Sequence, residues 1–122
     1  MELDGQQILI VEDEIVIAMD LVWIIRDAGA VVVVGPAMSV PEALRLIESY
    51  VITAAIVDVD LGKEDSLPVA RRLDVARIPF VFHTGDGAKF SSNVWPRAPI
   101  IKKPATPQKL IAAVAAVAVA KR

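Results

Sequence analysis

The chain has 122 residues, 55% of them hydrophobic, and its formal net charge is −2 at neutral pH. This length suits one domain with a real core and excludes two. The 13 lysines and arginines are scattered and outnumbered by 15 acidic residues, which excludes a basic nucleic-acid-binding surface. Because the chain contains no cysteine, it has neither a disulfide framework nor thiolate chemistry.

The sequence also argues against membrane insertion and secretion. The N-terminus is acidic and runs straight into a predicted strand, which is unlike a signal peptide. The longest apolar stretch, residues 110–120, is too short to span a bilayer. We therefore expect a cytoplasmic protein that binds neither membranes nor nucleic acid.

Short apolar runs alternate with segments of helical periodicity along the chain. In chain order they are a strand at 8–11, a helix at 14–28, a strand at 31–34, a helix at 39–49, a strand from 53 to Asp58, a helix at 66–75, a strand at 78–82, a short or irregular helix at 88–98, a strand at 100–101, and a last helix from Pro107 to the C-terminus. Residues 62–65 are predicted to be a loop, and Gly35-Pro36 is predicted to end the second strand.

Local signals support several of these boundaries. Gly29 is a natural stop for the first helix. Ser39 and Glu42 have the spacing of a capping box at the start of the second helix. Thr106 can cap the last helix, and Pro107 suits its first position.

Regular alternation of strands and helices predicts an α/β fold, a parallel sheet covered on both faces. Right-handed crossovers leave few topologies for a chain of this size. We expect a flavodoxin-like doubly wound five-stranded sheet with strand order 2-1-3-4-5 and about five helices.

Four of these strands end at a polar residue, each with a second notable residue beside it. These residues are Glu12 and Asp13 after the first strand, Asp58 and Asp60 after the third, Thr84 and Gly85 after the fourth, and Lys103 and Pro104 after the fifth. The carboxyl ends of parallel strands meet at one edge of the sheet, where ligands bind in such folds.

The types of residue at this edge indicate phosphoryl chemistry. Crowded carboxylates repel one another unless a cation lies among them, and hard oxygen ligands suit Mg²⁺. A carboxylate beside Mg²⁺ can attack a phosphoryl group and form an acyl phosphate. The Thr84 hydroxyl and the Lys103 ammonium can hold the phosphoryl oxygens. The sequence therefore predicts a phosphoryl-accepting site.

Over its whole length the chain resembles the receiver domains of two-component response regulators. The acidic pair matches Glu12-Asp13, the phosphoacceptor matches Asp58, the switch hydroxyl matches Thr84, and the strand-5 lysine matches Lys103 directly before Pro104. Each motif alone is weak, but four of them in order, each ending a predicted strand, form a specific pattern.

The resemblance implies a role for each matching residue. Asp13 and Asp58 would ligate Mg²⁺ together with the backbone carbonyl of Asp60, and Glu12 would act through water. Lys103 would pair with the phosphoryl group, and Thr84 would move toward it on activation.

The resemblance also implies partners. The phosphoryl donor would be a sensor histidine kinase or a histidine phosphotransferase. We expect residues 1–122 to form a single receiver domain with no effector domain, which would signal by docking on a downstream protein or by relaying phosphate. It would catalyse only its own phosphoryl transfer and dephosphorylation.

Several positions depart from the family pattern. Ile100 stands where many receivers have a switch aromatic, and Ala105 stands where Phe is common. Gly62 and Ser66 replace Pro and Gly in the loop after the phosphoacceptor. Residues 80–87 resemble the strand-4 motif of the stand-alone FAT GUY receivers, which lack the switch aromatic, except that His83 replaces Ala and Asp86 follows Gly85.

Asp60 and Asp86 lie two residues beyond the phosphoacceptor and the switch threonine, respectively. They would flank the path of an attacking water, so we predict that they tune the rate of dephosphorylation. The lone histidine, His83, is interpreted as structural or as lining the pocket. Trp23 and Trp95 are interpreted as packing or interface residues.

The last helix is apolar on every face between Leu110 and Ala120. One explanation is a small alanine-rich surface that water tolerates. The alternative, which we favour, is a surface for a partner or for a homodimer.

Two other functions use similar residues. A phosphatase of the haloacid dehalogenase type also has an Asp-x-Asp nucleophile, but there the motif usually lies on the first strand. A receiver-like interaction domain that is no longer phosphorylated would explain the missing aromatic, but not the intact acidic pair, Asp58, Thr84 and Lys103.

Overall fold

A computed structural model describes residues 1–30, 32–85 and 94–120 of the chain. The elements, in chain order, are β1 (Gln7–Val11), α1 (Ile15–Asp27), β2 (Val32–Ala37), α2 (Val40–Ser49), β3 (Ala54–Val57), β4 (Asp60–Leu61), β5 (Glu64–Asp65), α3 (Leu67–Val75), β6 (Phe80–Thr84), β7 (Ile100–Lys102) and α4 (Pro107–Ala120).

Five strands form one parallel sheet in the order β2-β1-β3-β6-β7. Counted among these five strands alone, this is the predicted order 2-1-3-4-5, so the flavodoxin-like doubly wound fold is confirmed. The strands that carry the predicted site are therefore neighbours, with β1 beside β3, β3 beside β6, and β6 beside β7.

Each face of the sheet carries its own hydrophobic core. Leu9 and Val11 of β1 point to the face covered by α2 and α3. Ile8 and Ile10 point to the opposite face, covered by α1 and α4. All four side chains are fully buried, which explains why a central parallel strand is a continuous apolar run with no polar alternation.

The β2 strand extends beyond its predicted end at Gly35. It pairs with β1 from Gln7↔Val32 onward, shifts register between Leu9 and Val11, and resumes at Val11↔Ala37. Gly35 has φ +95, and a Cβ built there would lie 2.6 Å from the Ala37 nitrogen. Glycine therefore permits an irregular continuation of the strand where the sequence indicates an end.

The segment at 62–65, predicted to be a loop, is part of a small hairpin. Asp60 pairs with Asp65 and Leu61 with Glu64 in an antiparallel ladder. Gly62, with φ +72, lies in the turn between them. The alternating pattern that signals a strand is not recognisable in two-residue strands, so the sequence did not indicate this hairpin.

The predicted helix starts are confirmed at α2 and α4. The backbone N–H of Glu42 donates to Ser39 Oγ at 3.3 Å, and Glu42 Oε1 accepts from the Met38 backbone N–H at 2.7 Å. Thr106 Oγ1 accepts from the Lys109 backbone N–H at 3.2 Å, and α4 begins at Pro107.

The described part of the chain contains four helices. The fifth predicted helix, at 88–98, falls largely on residues 86–93, outside the described residues. Residues 94–99, which are described, form a turn and an irregular connection to β7. None of the helices in residues 1–30, 32–85 and 94–120 is long and apolar enough to cross a membrane.

Candidate functional site

The parallel sheet brings the predicted site residues to one edge. Glu12 and Asp13 follow β1, Asp58 follows β3, Thr84 ends β6, and Lys103 follows β7. The Lys103 backbone N–H donates to the Thr84 carbonyl at 2.9 Å, which extends the pairing of β6 and β7 up to the lysine. Lys103 is therefore anchored by backbone pairing to β6, the strand next to the one that Asp58 follows.

The Lys103 side chain connects two carboxylates at this edge. Its Nζ donates to Glu12 Oε1 at 2.7 Å and to Asp58 Oδ2 at 3.1 Å. Glu12 is fully buried, Asp58 is 6% exposed, and the Lys103 side chain is 19% exposed. An ammonium held between two buried carboxylates offsets their mutual repulsion, and its bond to a carboxylate is strongest when that carboxylate is ionised.

Burial and the neighbouring charges shift two pKa values here. Burial raises the pKa of Glu12 to about 7; the Lys103 hydrogen bond opposes this shift, and the neighbouring Asp58 adds to it. Burial lowers the pKa of Lys103, but its bond to Glu12 and the charge of Asp58 outweigh that effect and raise it overall. Lys103 is therefore charged at neutral pH, whereas Glu12 lies near its midpoint.

Three carboxylates could hold a cation. Glu12, Asp13 and Asp58 each offer a ligand oxygen, and these oxygens lie within 4.8 Å of one another. Asp13 and Asp58 also line an open pocket of about 420 Å³ together with Glu14, Asp60, Gly62, Gly85 and Lys103. Hard oxygen ligands beside open space that admits water fit Mg²⁺, which keeps several of its waters.

The hairpin after β3 forms one wall of this pocket. The backbone N–H of Asp60 donates to Asp58 Oδ1 at 3.3 Å. A Cβ built on Gly62 would lie 3.6 Å from Asp13 Oδ2, so the tip of the hairpin approaches the acidic pair. Gly62 and Glu14 line the pocket although neither was predicted as a site residue; the three consecutive acids at 12–14 were the available signal for Glu14.

Of the remaining predicted residues, Gly85 lines this pocket, whereas Thr84 and Pro104 do not. Thr84 is 1% exposed at the end of β6, and Gly85, directly after it, is exposed and lines the pocket. Pro104 is exposed and lies in a groove next to Lys103. Asp86, predicted to tune dephosphorylation, lies outside the described residues.

His83 lies near Lys103 but is not part of the acidic pocket. It is 6% exposed, and its Nδ1 atom is buried without a hydrogen-bond partner in the described structure. Burial, followed by the charge of Lys103, lowers its pKa. His83 lines a second groove and is absent from the wall of the acidic pocket, so of the two interpretations the structure favours a packing role.

This second groove has a volume of about 410 Å³ and runs between α1 and the start of α4. Lys103, Pro104 and Ala105 form one wall, and α1 forms the other. Beside it α1 exposes four large apolar side chains, Ile15, Val16, Met19 and Trp23, which we call the α1 apolar surface. Trp95, in contrast, packs edge-on against Phe82 with ring centroids 5.6 Å apart.

Comparison with known proteins identifies the fold family. The sequence matches no protein-family model and no curated protein. Among solved structures, the chain is 28% identical to a response regulator receiver protein from Sinorhizobium medicae WSM419, with a TM-score of 0.84 over 98% of this chain and 99% of that one. A receiver domain protein from Methanospirillum hungatei JF-1, described as CheY-like, is 24% identical, with a TM-score of 0.83 over 95% of both chains.

A third solved structure is nearer in sequence. SdrG from Sphingomonas melonis Fr1 is 39% identical, with a TM-score of 0.73 over 96% of this chain and 98% of that one. These similarities cover nearly the whole chain, and they agree with the strand order of the sheet. The chain belongs to the receiver domains of response regulators.

Proposed function

We propose that the chain accepts a phosphoryl group on Asp58 from a phosphohistidine partner in a Mg²⁺-dependent reaction. The observation that carries this proposal is the Lys103 bridge, because it places an ammonium 3.1 Å from Asp58 Oδ2 at the wall of an open acidic pocket. A carboxylate held in this way can act as a nucleophile, and the lysine is already within reach of the incoming charge.

The transfer step is a displacement at phosphorus. An oxygen of Asp58 bonds to the phosphorus atom, the P–N bond of the donor's phosphohistidine breaks, and its electron pair stays on the donor's imidazole. Mg²⁺, held by Asp13, Asp58 and the Asp60 carbonyl with Glu12 acting through water, would supply positive charge for the phosphoryl oxygens. Lys103 would stay bonded to Glu12 while its contact with Asp58 passes to the phosphoryl group.

The α1 apolar surface suits the docking of the phosphodonor. Val16 is 80% exposed and Trp23 is 73% exposed, although both are large and apolar. The groove beside them shares Lys103 with the acidic pocket, so a protein seated there would bring its histidine next to Asp58. We propose a histidine kinase or histidine phosphotransferase as this partner and the cytoplasm as the location of the chain.

The rest of the proposal concerns what the protein does after phosphorylation. It would dock on a downstream protein or relay phosphate, and it would act as a catalyst only on its own acyl phosphate.

The homodimer predicted through the last helix stays a prediction. In α4 the side chains of Leu110, Val114 and Ala118 are buried, so the outer face consists mainly of alanines such as Ala112 and Ala116.

Intact mass spectrometry tests the proposed chemistry. The protein is incubated with Mg²⁺ and acetyl phosphate or phosphoramidate, alongside Asp58→Ala. We expect one phosphoryl adduct that requires Mg²⁺ and is lost in the variant. An adduct that survives Asp58→Ala, or steady turnover of a generic phosphomonoester, would contradict the proposal and favour a phosphatase. If both small donors fail, phosphorylated histidine phosphotransferases are the next donors to use.

A further inference from the structure

The β4–β5 hairpin lies between the acidic pocket and a distant helix. Its first strand is tied to the phosphoacceptor, because the Asp60 backbone N–H donates to Asp58 Oδ1 at 3.3 Å. Its tip, Gly62, lies beside Asp13. Its ladder has two residue pairs, closed at the base by the Ser66 backbone N–H, which donates to the Val59 carbonyl at 2.8 Å, and ladders this short have little stability of their own. The hairpin can therefore respond to changes at Asp58.

The second strand of the hairpin is bonded to α2. Glu64 Oε1 accepts from the backbone N–H of Val40, the first residue of that helix, at 3.0 Å. Backbone N–H groups in a first turn have no acceptor within their own helix, and a carboxylate there is also favoured by the helix dipole. Residues 40 and 64 are far apart in sequence. This bond therefore links the β4–β5 hairpin to α2, a helix that otherwise lies outside the site.

The two ends of α2 are held by different elements. Near its C-terminus, Glu48 Oε1 accepts from Arg72 Nε at 3.1 Å and from Arg72 Nη2 at 2.7 Å, which ties α2 to α3. At its N-terminus the Glu64 bond is added to the local cap made by Ser39 and Glu42. A movement of the hairpin would therefore act on the first turn of α2.

We propose that Glu64 couples the phosphorylation of Asp58 to the first turn of α2. This inference rests on the proposed function, since its trigger is the acyl phosphate. When Asp58 carries a phosphoryl group, the charge that the Asp60 N–H faces moves from the carboxylate to the phosphoryl oxygens, and that hydrogen bond weakens. The hairpin shifts, and the Glu64–Val40 bond changes with it. This route does not need the strand-5 aromatic, whose position is occupied by the exposed Ile100.

The test follows the Val40 backbone amide by ¹⁵N NMR, with and without acetyl phosphate in Mg²⁺ buffer. Intact mass is recorded on the same samples. Three variants accompany the wild-type chain: Glu64→Ala removes the acceptor, Glu64→Gln keeps a neutral acceptor, and Glu42→Ala loosens the same helix start without touching the hairpin.

We expect the Val40 resonance to shift on phosphorylation in the wild type and in Glu42→Ala, and the shift to fall at least threefold in Glu64→Ala. Glu64→Gln should restore at least half of it. All four proteins should form the phosphoryl adduct, because Glu64 does not line the pocket.

The outcomes separate the two proposals. An adduct with no Val40 response, or an equal response in Glu64→Ala, would overturn the coupling and leave the proposed function intact. Loss of the adduct in Glu64→Ala alone would also overturn the coupling, since Glu64 would then serve the chemistry itself. The absence of an adduct in every protein, with phosphohistidine donors included, would overturn both proposals.

Discussion

At the residue scale, the main feature is a buried carboxyl group whose charge depends on its surroundings. Glu12 is fully buried, and its Oε1 accepts from Lys103 while its Oε2 accepts from the Glu14 backbone N–H at 3.2 Å. These bonds favour the ionised form, whereas burial and Asp58 favour the protonated form and raise the pKa to about 7. Ionisation of Glu12 beside Lys103 therefore lowers the free energy of unfolding at neutral pH.

The pH dependence of stability should reveal this cost. Between pH 4.5 and about 7 the folded chain keeps a proton on Glu12 that the unfolded chain loses. The stabilising contribution of that proton is therefore complete below pH 4.5 and is lost as the pH rises to 7. From pH 5 to pH 7.5 in EDTA, we expect the free energy of unfolding to fall by about 2 kcal/mol more in the wild type than in Glu12→Gln.

Urea unfolding at several pH values checks this prediction. His83 acts in the opposite direction, because its lowered pKa removes stability as the pH falls below its ordinary value of 6.5. That effect is the same in both proteins, so their difference isolates Glu12. Parallel pH profiles for the two proteins would show that the Glu12 pKa is not raised.

At the element scale, the shape of the β2 edge depends on one glycine. The first pairs of β1 and β2 follow in regular register, and pairing resumes at Val11↔Ala37 after the irregularity at Gly35. The Glu12 backbone N–H then donates to the Ala37 carbonyl at 2.9 Å, so this end of β2 also positions the acidic pair. A backbone irregularity at the edge of the sheet thus contributes to the geometry of the site.

Substitution of Gly35 should be costly. In Gly35→Ala, the Cβ would lie 2.6 Å from the Ala37 nitrogen and 2.9 Å from the Ile10 carbonyl oxygen, at φ +95. We expect a loss of about 2 to 4 kcal/mol in the free energy of unfolding, measured by urea denaturation. Gly5→Ala is the matched control, because φ there is +79 but nothing lies within 4 Å, so about 1 kcal/mol is expected. Equal losses in the two variants would argue against a steric requirement at Gly35.

At the scale of the whole molecule, the doubly wound fold places Lys103 where two surfaces meet. Lys103 lines both the acidic pocket and the groove beside the α1 apolar surface. A partner on α1 could therefore deliver a phosphoryl group directly to Asp58. The hairpin and α2 pack on the opposite face of the sheet from α1, so the docking of a donor and the response at α2 need not compete.

The proposed docking of a phosphodonor on the α1 apolar surface predicts a selective defect. Trp23→Ala should lower the rate of phosphoryl transfer from a histidine phosphotransferase about 10-fold, because an exposed aromatic anchor is lost. The rate with acetyl phosphate should stay unchanged. The control is Val75→Ala, which removes a 78% exposed apolar side chain from α3 on the other face. Equal rates for wild type and Trp23→Ala with the protein donor would exclude the α1 apolar surface as the docking site.

The sequence by itself determined the order of the sheet, and it predicted which residues meet at the carboxyl edge. Continuous apolar runs predict strands buried on both faces, and polar residues at their carboxyl ends must meet at one edge of a parallel sheet. Glu12, Asp13, Asp58, Thr84 and Lys103 could therefore be assigned from their places in the chain. These predictions rest on local patterns and on the rule that right-handed crossovers leave few topologies for a chain of this size.

Only the tertiary structure decided how these residues interact and which surfaces remain open. The Lys103 bridge, the approach of Gly62 to Asp13 and the Glu64–Val40 bond all join residues that are distant in sequence. The α1 apolar surface could not be predicted from the sequence either, since the burial of Trp23 depends on what packs against the helix. Such contacts are set by the packing of the whole chain, and no local sequence pattern predicts them.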